Sequence, residues 1–211
     1  MQNEMIFKIS FGIFAITILS AMVNANLKAH REHGSPLVRA KNEYRPLIFL
    51  RLLFAIPLYA GLLDWLFSAN KIPWSYIQIP VFMRWIGCGL IAVVGILFWW
   101  IHLTLGSNYR STMGLHQNHK LVTRGPYRFV RHPTYVTFLV VPVILFLLSS
   151  NWLLGLSAFI LFLILMVVRA PIEEKELINR FGDEYRSYMQ KTNRFFPSLH
   201  QIVKPRYRRE L

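Results

Sequence analysis

The sequence is poor in cysteine and in acidic residues. Its 211 residues include one cysteine, Cys88, which excludes an intramolecular disulfide framework and a cysteine metal cluster. Only 10 aspartate and glutamate residues stand against 24 lysine and arginine residues, so the formal net charge is +14. Because long uncharged stretches separate the basic residues, this charge does not indicate nucleic-acid binding. We expect it to mark the cytoplasmic loops of a membrane protein, since 54% of the residues are hydrophobic.

Charged residues are absent from residues 135–168, the longest apolar stretch of the chain. A single helix of that length, at ~1.5 Å per residue, would far exceed a hydrocarbon core of ~30 Å. Polar residues at positions 149–151 lie in its middle, so the stretch predicts a helical hairpin. Three further apolar segments, residues 9–23, 47–67 and 81–105, complete a prediction of about five transmembrane helices. The expected fold class is therefore an all-α integral membrane protein.

Basic residues concentrate in three regions, which together hold 20 of the 24 lysines and arginines. These regions are the loop after the first span, the segment between the third and fourth spans, and the chain from Arg169 onward. The hairpin turn at residues 149–151 has none. Since lysine and arginine favour the cytoplasmic side, the pattern predicts an N-terminus outside the cell and a cytoplasmic C-terminus.

The segment before the hairpin is more polar and more punctuated than a simple connection requires. Gly125 and Pro126 predict a turn, and Pro133 fits the first position of the fourth span. The ring of that proline holds His132 out of helical geometry. The imidazole and the guanidinium of Arg131 are thus expected beside a helix N-terminus, whose free N–H groups favour an anion such as a carboxylate.

The segment after the hairpin is rich in acidic residues. Pro171 predicts a stop or a kink of span five, and the carboxylates of Glu173, Glu174 and Glu176 are expected in the first turn of a following helix. If the helix is only kinked, Arg169 and Glu173 lie on one face beside the membrane core. A site built from both polar segments would lie at the cytoplasmic interface.

These two segments carry a family resemblance, in the stretches HKLVTRGPYRFVRHPTY and EEKELINRFGDEYRSYMQKTNRFFP. Together they resemble the isoprenylcysteine carboxyl methyltransferase family and its bacterial and archaeal relatives. The resemblance implies an enzyme of a prokaryotic cytoplasmic membrane that uses S-adenosylmethionine, releases S-adenosylhomocysteine and has no Rossmann domain. The absence of a Gly-rich strand-to-helix turn agrees with this. It also divides the chain into a transmembrane region, residues 1–104, and a methyltransferase catalytic region, residues 105–211, with cytoplasmic helical segments.

The resemblance also implies site residues. Cofactor contacts fall on His119, Lys120, Leu121, Val122, Tyr127, His132, Pro133, Thr134, Tyr135 and Glu173. Gly125 is expected to allow close backbone approach, and Arg131 is included as the cation beside His132. The substrate-side arginine of the family falls on Arg169.

The chemistry leaves the methyl acceptor open. Methyl transfer from a sulfonium is an in-line displacement, so the protein mainly aligns donor and acceptor and excludes water. A carboxylate acceptor needs only a cation such as Arg169, whereas an amine acceptor must lose a proton and would call on Glu174. We expect a lipophilic acceptor, foremost the carboxylate of an isoprenylcysteine-like amphiphile or prenylated partner; a phospholipid or lipid amine is the alternative.

Other function classes fit the sequence less well. Membrane sterol reductases, which use NADPH, resemble the C-terminal pattern, but their acidic-basic motif differs from Glu173-Glu174. A non-catalytic transporter or scaffold subunit gives no reason for two polar segments on one side, and no internal repeat is evident. The pairs His30 with His33 and His116 with His119 have metal-compatible spacing but no nearby ligand set, so no metal site is predicted.

Overall fold

A computed structural model describes residues 2–33, 45–108 and 120–197. These residues form the helices α1 (Gln2–His33), α2 (Arg45–Phe67), α3 (Val81–Leu105), α4 (Pro133–Ser149), α5 (Trp152–Phe181) and α6 (Asp183–Lys191). Short 3-10 turns lie at Pro73–Ser75, Gly106–Asn108 and Gly125–Arg128. No strand occurs within the described ranges. The all-α prediction is therefore confirmed for this part of the chain, which contains no Rossmann-type sheet.

Three of these helices are long and apolar enough to cross a membrane, namely α1 over Asn3–Lys28, α3 and α5. The helices α2 and α4 contribute the shorter apolar stretches Leu52–Phe67 and Pro133–Ser149. Between α4 and α5, Ser150 adopts a left-handed conformation with φ 58°. The side chain of Asn151 then caps α5 by accepting from the Leu154 N–H at 3.0 Å. This tight turn confirms the predicted helical hairpin.

The hairpin is closely packed because small residues stand where its helices meet. A Cβ at Gly155 would lie 2.7 Å from the Cβ of Phe146 and 3.3 Å from the Pro142 carbonyl oxygen. A Cβ at Gly61 of α2 would lie 3.1 Å from the Cβ of Leu154. Small residues let helices in a membrane approach closely and gain dispersion contacts. The helix α5 thus packs closely against both α2 and α4, and its last turns carry one of the two polar segments.

Polar contacts close one end of the bundle. The guanidinium of Arg84, at the start of α3, pairs with the carboxylate of Glu4 in α1 and donates to the carbonyl of Leu148 in α4. The Asn151 amide donates to the Ser75 hydroxyl at 2.7 Å. Since α1 and α3 begin here and α4 ends here, the two polar segments of the sequence lie at the opposite end.

Pro171 does not end a helix. The helix α5 continues through it from Trp152 to Phe181, so the expectation of a new helix with Glu173, Glu174 and Glu176 in its first turn is wrong. Proline in a helix removes one backbone hydrogen bond. Its ring is exposed, however, while the nearby Ala170 and Glu174 are 0% and 2% exposed and fixed by tertiary contacts. Tertiary packing therefore overrides the local signal, and α5 ends only at Gly182, where φ is 53°.

Candidate functional site

Three parts of the chain meet at the end of the bundle opposite Arg84: the turn before α4, the last third of α5, and residues 192–195 after α6. The Arg131 N–H donates to the Asn193 carbonyl at 2.9 Å, and the His132 N–H donates to the Arg194 carbonyl at 3.1 Å. Beside them, Val130 and Asn193 form an isolated parallel bridge. The structure thus brings the two motif-bearing segments of the sequence into direct contact.

The buried carboxylate of Glu174 is the centre of an ion cluster. It accepts hydrogen bonds from Arg131 Nε at 3.0 Å and from Arg194 Nε at 3.0 Å, and it lies 3.2 Å from His132 Nε2. Arg131 also donates to the Thr192 carbonyl. A buried carboxylate is stable only with such compensation, and the hydrogen bond to Glu174 in turn raises the pKa of the Arg194 guanidinium. The oxygens of Glu174 are therefore occupied, which does not suit a free general base.

The neighbouring carboxylate of Glu173 has looser contacts. Its Oε1 accepts from the Tyr135 hydroxyl at 2.7 Å and lies 3.6 Å from Arg169 Nη2. Its Oε2 lies 3.7 Å from His132 Nδ1. The side chain is 31% exposed, and two of these three separations exceed hydrogen-bond length. Glu173 can therefore exchange its present partners for a ligand.

Arg169 stands on the same face of α5 as Glu173, as expected if α5 continues through Pro171. Its side chain is 20% exposed. The buried Nε has no hydrogen-bond partner among the described residues, and buried polar atoms in this state need an explanation. Its neighbours along α5, Met166 and Ala170, belong to an apolar cluster that also contains Tyr135, Phe138, Leu139, Leu163 and Phe195. A guanidinium with spare donors beside an apolar cluster fits an amphiphile with an anionic head.

The geometry of the turn before α4 follows from its glycine and proline residues. Gly125 has φ 58°, a backbone conformation that residues with a side chain rarely adopt. A Cβ at this position would also lie only 2.8 Å from Thr104 Oγ1 of α3, so there is no room for a side chain. Pro133 is the first residue of α4, and His132 precedes it with φ −125° and ψ 63°, as predicted. Tyr127 lies in the Gly125–Arg128 turn and accepts through its carbonyl from the Tyr188 hydroxyl at 2.5 Å.

The other residues predicted to contact the cofactor make few side-chain contacts with the rest of the site. The Lys120 N–H donates to Asn108 Oδ1 at 2.9 Å, Leu121 and Val122 are half-buried, and the carbonyl of Thr134 accepts from Thr137. His119 lies outside the described residues. Within the described ranges, no group of three or more metal-ligating side chains is arranged as a metal site.

Sequence reasoning missed the residues after α6. Arg194 and Thr192 contact the ion cluster directly, and α6 presents the buried phenols of Tyr185 and Tyr188 on the same side. Burial raises the pKa of both tyrosines, so they remain neutral. The only signal was the position of Arg194 inside the stretch that carries the family resemblance, and it did not indicate a contact with Glu174.

Comparisons with known proteins find similarity to methyltransferases. Residues 85–179 match the model of the isoprenylcysteine carboxyl methyltransferase family. A probable protein-S-isoprenylcysteine O-methyltransferase of Oryza sativa subsp. indica is 29% identical over 120 residues, which are 56% of this chain and 63% of that protein. The protein-S-isoprenylcysteine O-methyltransferase of Schizosaccharomyces pombe is 35% identical over 88 residues, 39% of this chain and 35% of the relative.

A relative with a different acceptor in its name also matches. Methanethiol S-methyltransferase 1 of Bradyrhizobium diazoefficiens is 33% identical over 101 residues, covering 43% of this chain and 34% of that protein. The chain thus spans less than two thirds of the length of these relatives, at most 63%. The matched region nonetheless contains Arg131, His132, Arg169, Glu173 and Glu174. Residues 85–179, a little under half of the chain, are thus similar to the isoprenylcysteine carboxyl methyltransferase family.

Proposed function

We propose that the protein is a membrane-embedded methyltransferase that transfers a methyl group from S-adenosylmethionine to a lipophilic acceptor. The single observation that carries the proposal is the open carboxylate of Glu173, which lies between Tyr135, His132 and Arg169 at the end of an apolar helix pair. This arrangement falls within the region matched by the family model. A half-exposed anion, a ring donor and a cation in one site can orient a zwitterionic donor and an anionic acceptor together.

The residues present fit S-adenosylmethionine. Glu173 offers an acceptor for the ribose diol or the ammonium group, His132 a donor for the carboxylate, and Tyr127 with Leu121 an aromatic and apolar slot for adenine. Because the contacts of Glu173 with His132 and Arg169 are long, replacing them by contacts with the cofactor costs little free energy. When bound, the cofactor would supply an electrophilic methyl group. The role of the chain is to hold both reactants in line and to exclude water.

The acceptor proposed is the carboxylate of an isoprenylcysteine-like amphiphile. Arg169 would fix that carboxylate, with the lipid tail against the apolar residues Met166 and Phe138. An amine acceptor, such as a phospholipid amine, would need a base to take its proton. The contacts of Glu174 with Arg131 and Arg194 leave that carboxylate poorly suited to this task, which favours the acceptor that needs no base.

Cofactor binding is the first test. In detergent-purified protein, Glu173→Gln and His132→Ala should each weaken the binding of S-adenosylhomocysteine about 10-fold, because each removes a charge-assisted hydrogen bond. Isothermal titration calorimetry measures this directly. The matched control is Glu184→Gln, an exposed glutamate of α6, which should bind normally. Tight binding of NADPH with no response to S-adenosylhomocysteine would favour the reductase class and contradict the proposal.

The type of bond to the transferred methyl group identifies the class of acceptor. Membranes containing the protein are incubated with methyl-labelled S-adenosylmethionine and an isoprenylcysteine, and lipids and proteins are extracted separately. A carboxyl methyl ester releases labelled methanol in alkali, whereas an N-methyl or S-methyl product does not. Alkali-stable label in the lipid fraction would overturn the carboxylate assignment but not the methyltransferase assignment.

We also propose that the site faces the cytoplasm, with the N-terminus outside. In a Cys88→Ala background, Gln78→Cys should react with a membrane-impermeant thiol reagent added to intact cells, and Gln190→Cys should not. Both positions are exposed and lie at opposite ends of the bundle, so each controls for the other. Permeabilised cells should label both. The reverse pattern in intact cells would place the site on the side without cofactor.

A further inference from the structure

An apolar groove runs along the side of the bundle between α1 and α3. The groove is open on its outer side, has a volume of about 560 Å³, and is lined among others by Ile13, Thr17, Ile91, Gly95, Trp99 and Leu103. The groove has free space at Gly95, since a Cβ at this position would meet only Thr17 Cγ2, at 3.8 Å. The shape and chemistry suit a hydrocarbon chain lying between two membrane helices.

The groove continues into a smaller cavity at the end of the span, which is still mostly apolar but includes polar side chains. This second cavity, of about 80 Å³, shares Trp99 and Leu103 with the first and adds Asn24 and Lys28. The ammonium Nζ of Lys28 stands 3.6 Å from where a Cβ of Gly106 would be. The absent side chain of Gly106 therefore leaves room beside the ammonium group.

Two cations stand at this polar end. Lys28 lies four residues after Asn24 and Arg31 three residues after Lys28, so the three side chains lie on one face of α1. Both basic residues are exposed, and neither has a hydrogen-bond or ion-pair partner among the residues that the structure describes. Lys28 is also the last residue of the apolar span Asn3–Lys28, which places its charge at the depth of lipid headgroups.

We propose that this groove binds one anionic phospholipid, with an acyl chain between Thr17 and Leu103 and the phosphate at Lys28 and Arg31. Charge complementarity and the apolar-to-cationic order of the groove select this occupant. The methyl acceptor is a poorer candidate, because α1 packs mainly on α3, whereas α5 with Arg169 packs on α2 and α4. The lipid site is independent of the proposed methyl transfer.

The bound lipid would secure α1 against α3 and the turn that follows α3. That turn, Gly106–Asn108, packs against α1, and its Asn108 accepts from the Lys120 N–H. A ligand that binds only the folded protein stabilises it by mass action. The expected consequence is a selective rise in thermal stability with anionic lipid.

The test compares phosphatidylglycerol with phosphatidylcholine of the same acyl chains, added to delipidated protein in detergent. Native mass spectrometry should show one phosphatidylglycerol bound per chain, and the melting temperature should rise more than with phosphatidylcholine. Lys28→Ala with Arg31→Ala should weaken this binding about 10-fold. The control Lys71→Ala removes an exposed charge at the opposite end and should change nothing.

A second variant tests the apolar part of the groove. It keeps the proposal testable if the variant without the two cations does not fold. Gly95→Leu should fill the groove and abolish lipid retention while both cations remain, with little cost to folding. Equal binding of the two lipids, or full retention by both variants, overturns the proposal. Stabilisation by inorganic phosphate alone, equal to that by phosphatidylglycerol, would also overturn it, since it would show an anion site rather than a lipid site.

Discussion

Arg169→Ala is expected to lower methyl transfer about 100-fold while leaving the affinity for S-adenosylhomocysteine within about threefold. The guanidinium is held only loosely by Glu173, and its Nε is buried without a hydrogen-bond partner among the described residues. Its spare donors would therefore orient the acceptor rather than the donor. The measurements are turnover with an isoprenylcysteine acceptor and calorimetric titration of the cofactor product.

Two further variants sharpen this expectation. Arg169→Lys should restore little turnover, because a point charge does not reproduce a planar two-pronged contact. Arg186→Ala removes an exposed arginine of α6 that pairs with Asp183, and it should behave like the unaltered protein. Near-normal turnover of Arg169→Ala would limit that residue to pairing Glu173, and the carboxylate-acceptor proposal would lose its main support.

Glu174→Gln should be the most destabilising single change at the site. Because Glu174 is 2% exposed, the substitution leaves Arg131 and Arg194 without their buried counter-charge, at a cost of about 3 to 5 kcal/mol. The adjacent change Glu173→Gln should cost much less, since that side chain is 31% exposed and loosely paired. Thermal unfolding in detergent, followed by circular dichroism, should therefore separate two neighbouring glutamates.

The variants of Glu173 and Glu174 also distinguish a loss of stability from a loss of cofactor binding. Glu173→Gln should bind the cofactor poorly at a near-normal melting temperature, whereas Glu174→Gln should lose both. Adding Arg194→Met to Glu174→Gln should recover part of the stability, because it removes one of the unpaired charges. Equal melting temperatures for the two single variants would show that the ion cluster does not hold the site together.

Local rules predicted much of the architecture. The polar residues at 149–151 inside an uncharged stretch indicated the hairpin, because no single span accommodates that length. Pro133 indicated a helix start for a steric reason that operates within two residues. The pairing of Arg169 with Glu173 followed from helical spacing once the helix continued. Each of these features depends on neighbours along the chain.

Contacts distant in sequence were the part that could not be predicted. Whether Pro171 ended α5 depended on the packing of Ala170 and Glu174, and no local pattern reports such packing. The distinction between Glu173 and Glu174 arose in the same way, from partners 20 and 43 residues from Glu174. The contact of Arg194 with Glu174 was missed because the two residues are 20 positions apart and meet only after the chain turns back beyond α6.

The backbone pairing of residues 193 and 194 with the turn before α4 has a consequence for the exchange of ligands. Residues 192–195 are held to the site by two backbone hydrogen bonds and by Arg194, while the ring of Phe195 lies 5.9 Å from that of His132. Peeling this short segment away would uncover His132 without separating any membrane helices. If the cofactor binds as proposed, its release would require breaking only the polar contacts of this segment, and the apolar helices could remain packed.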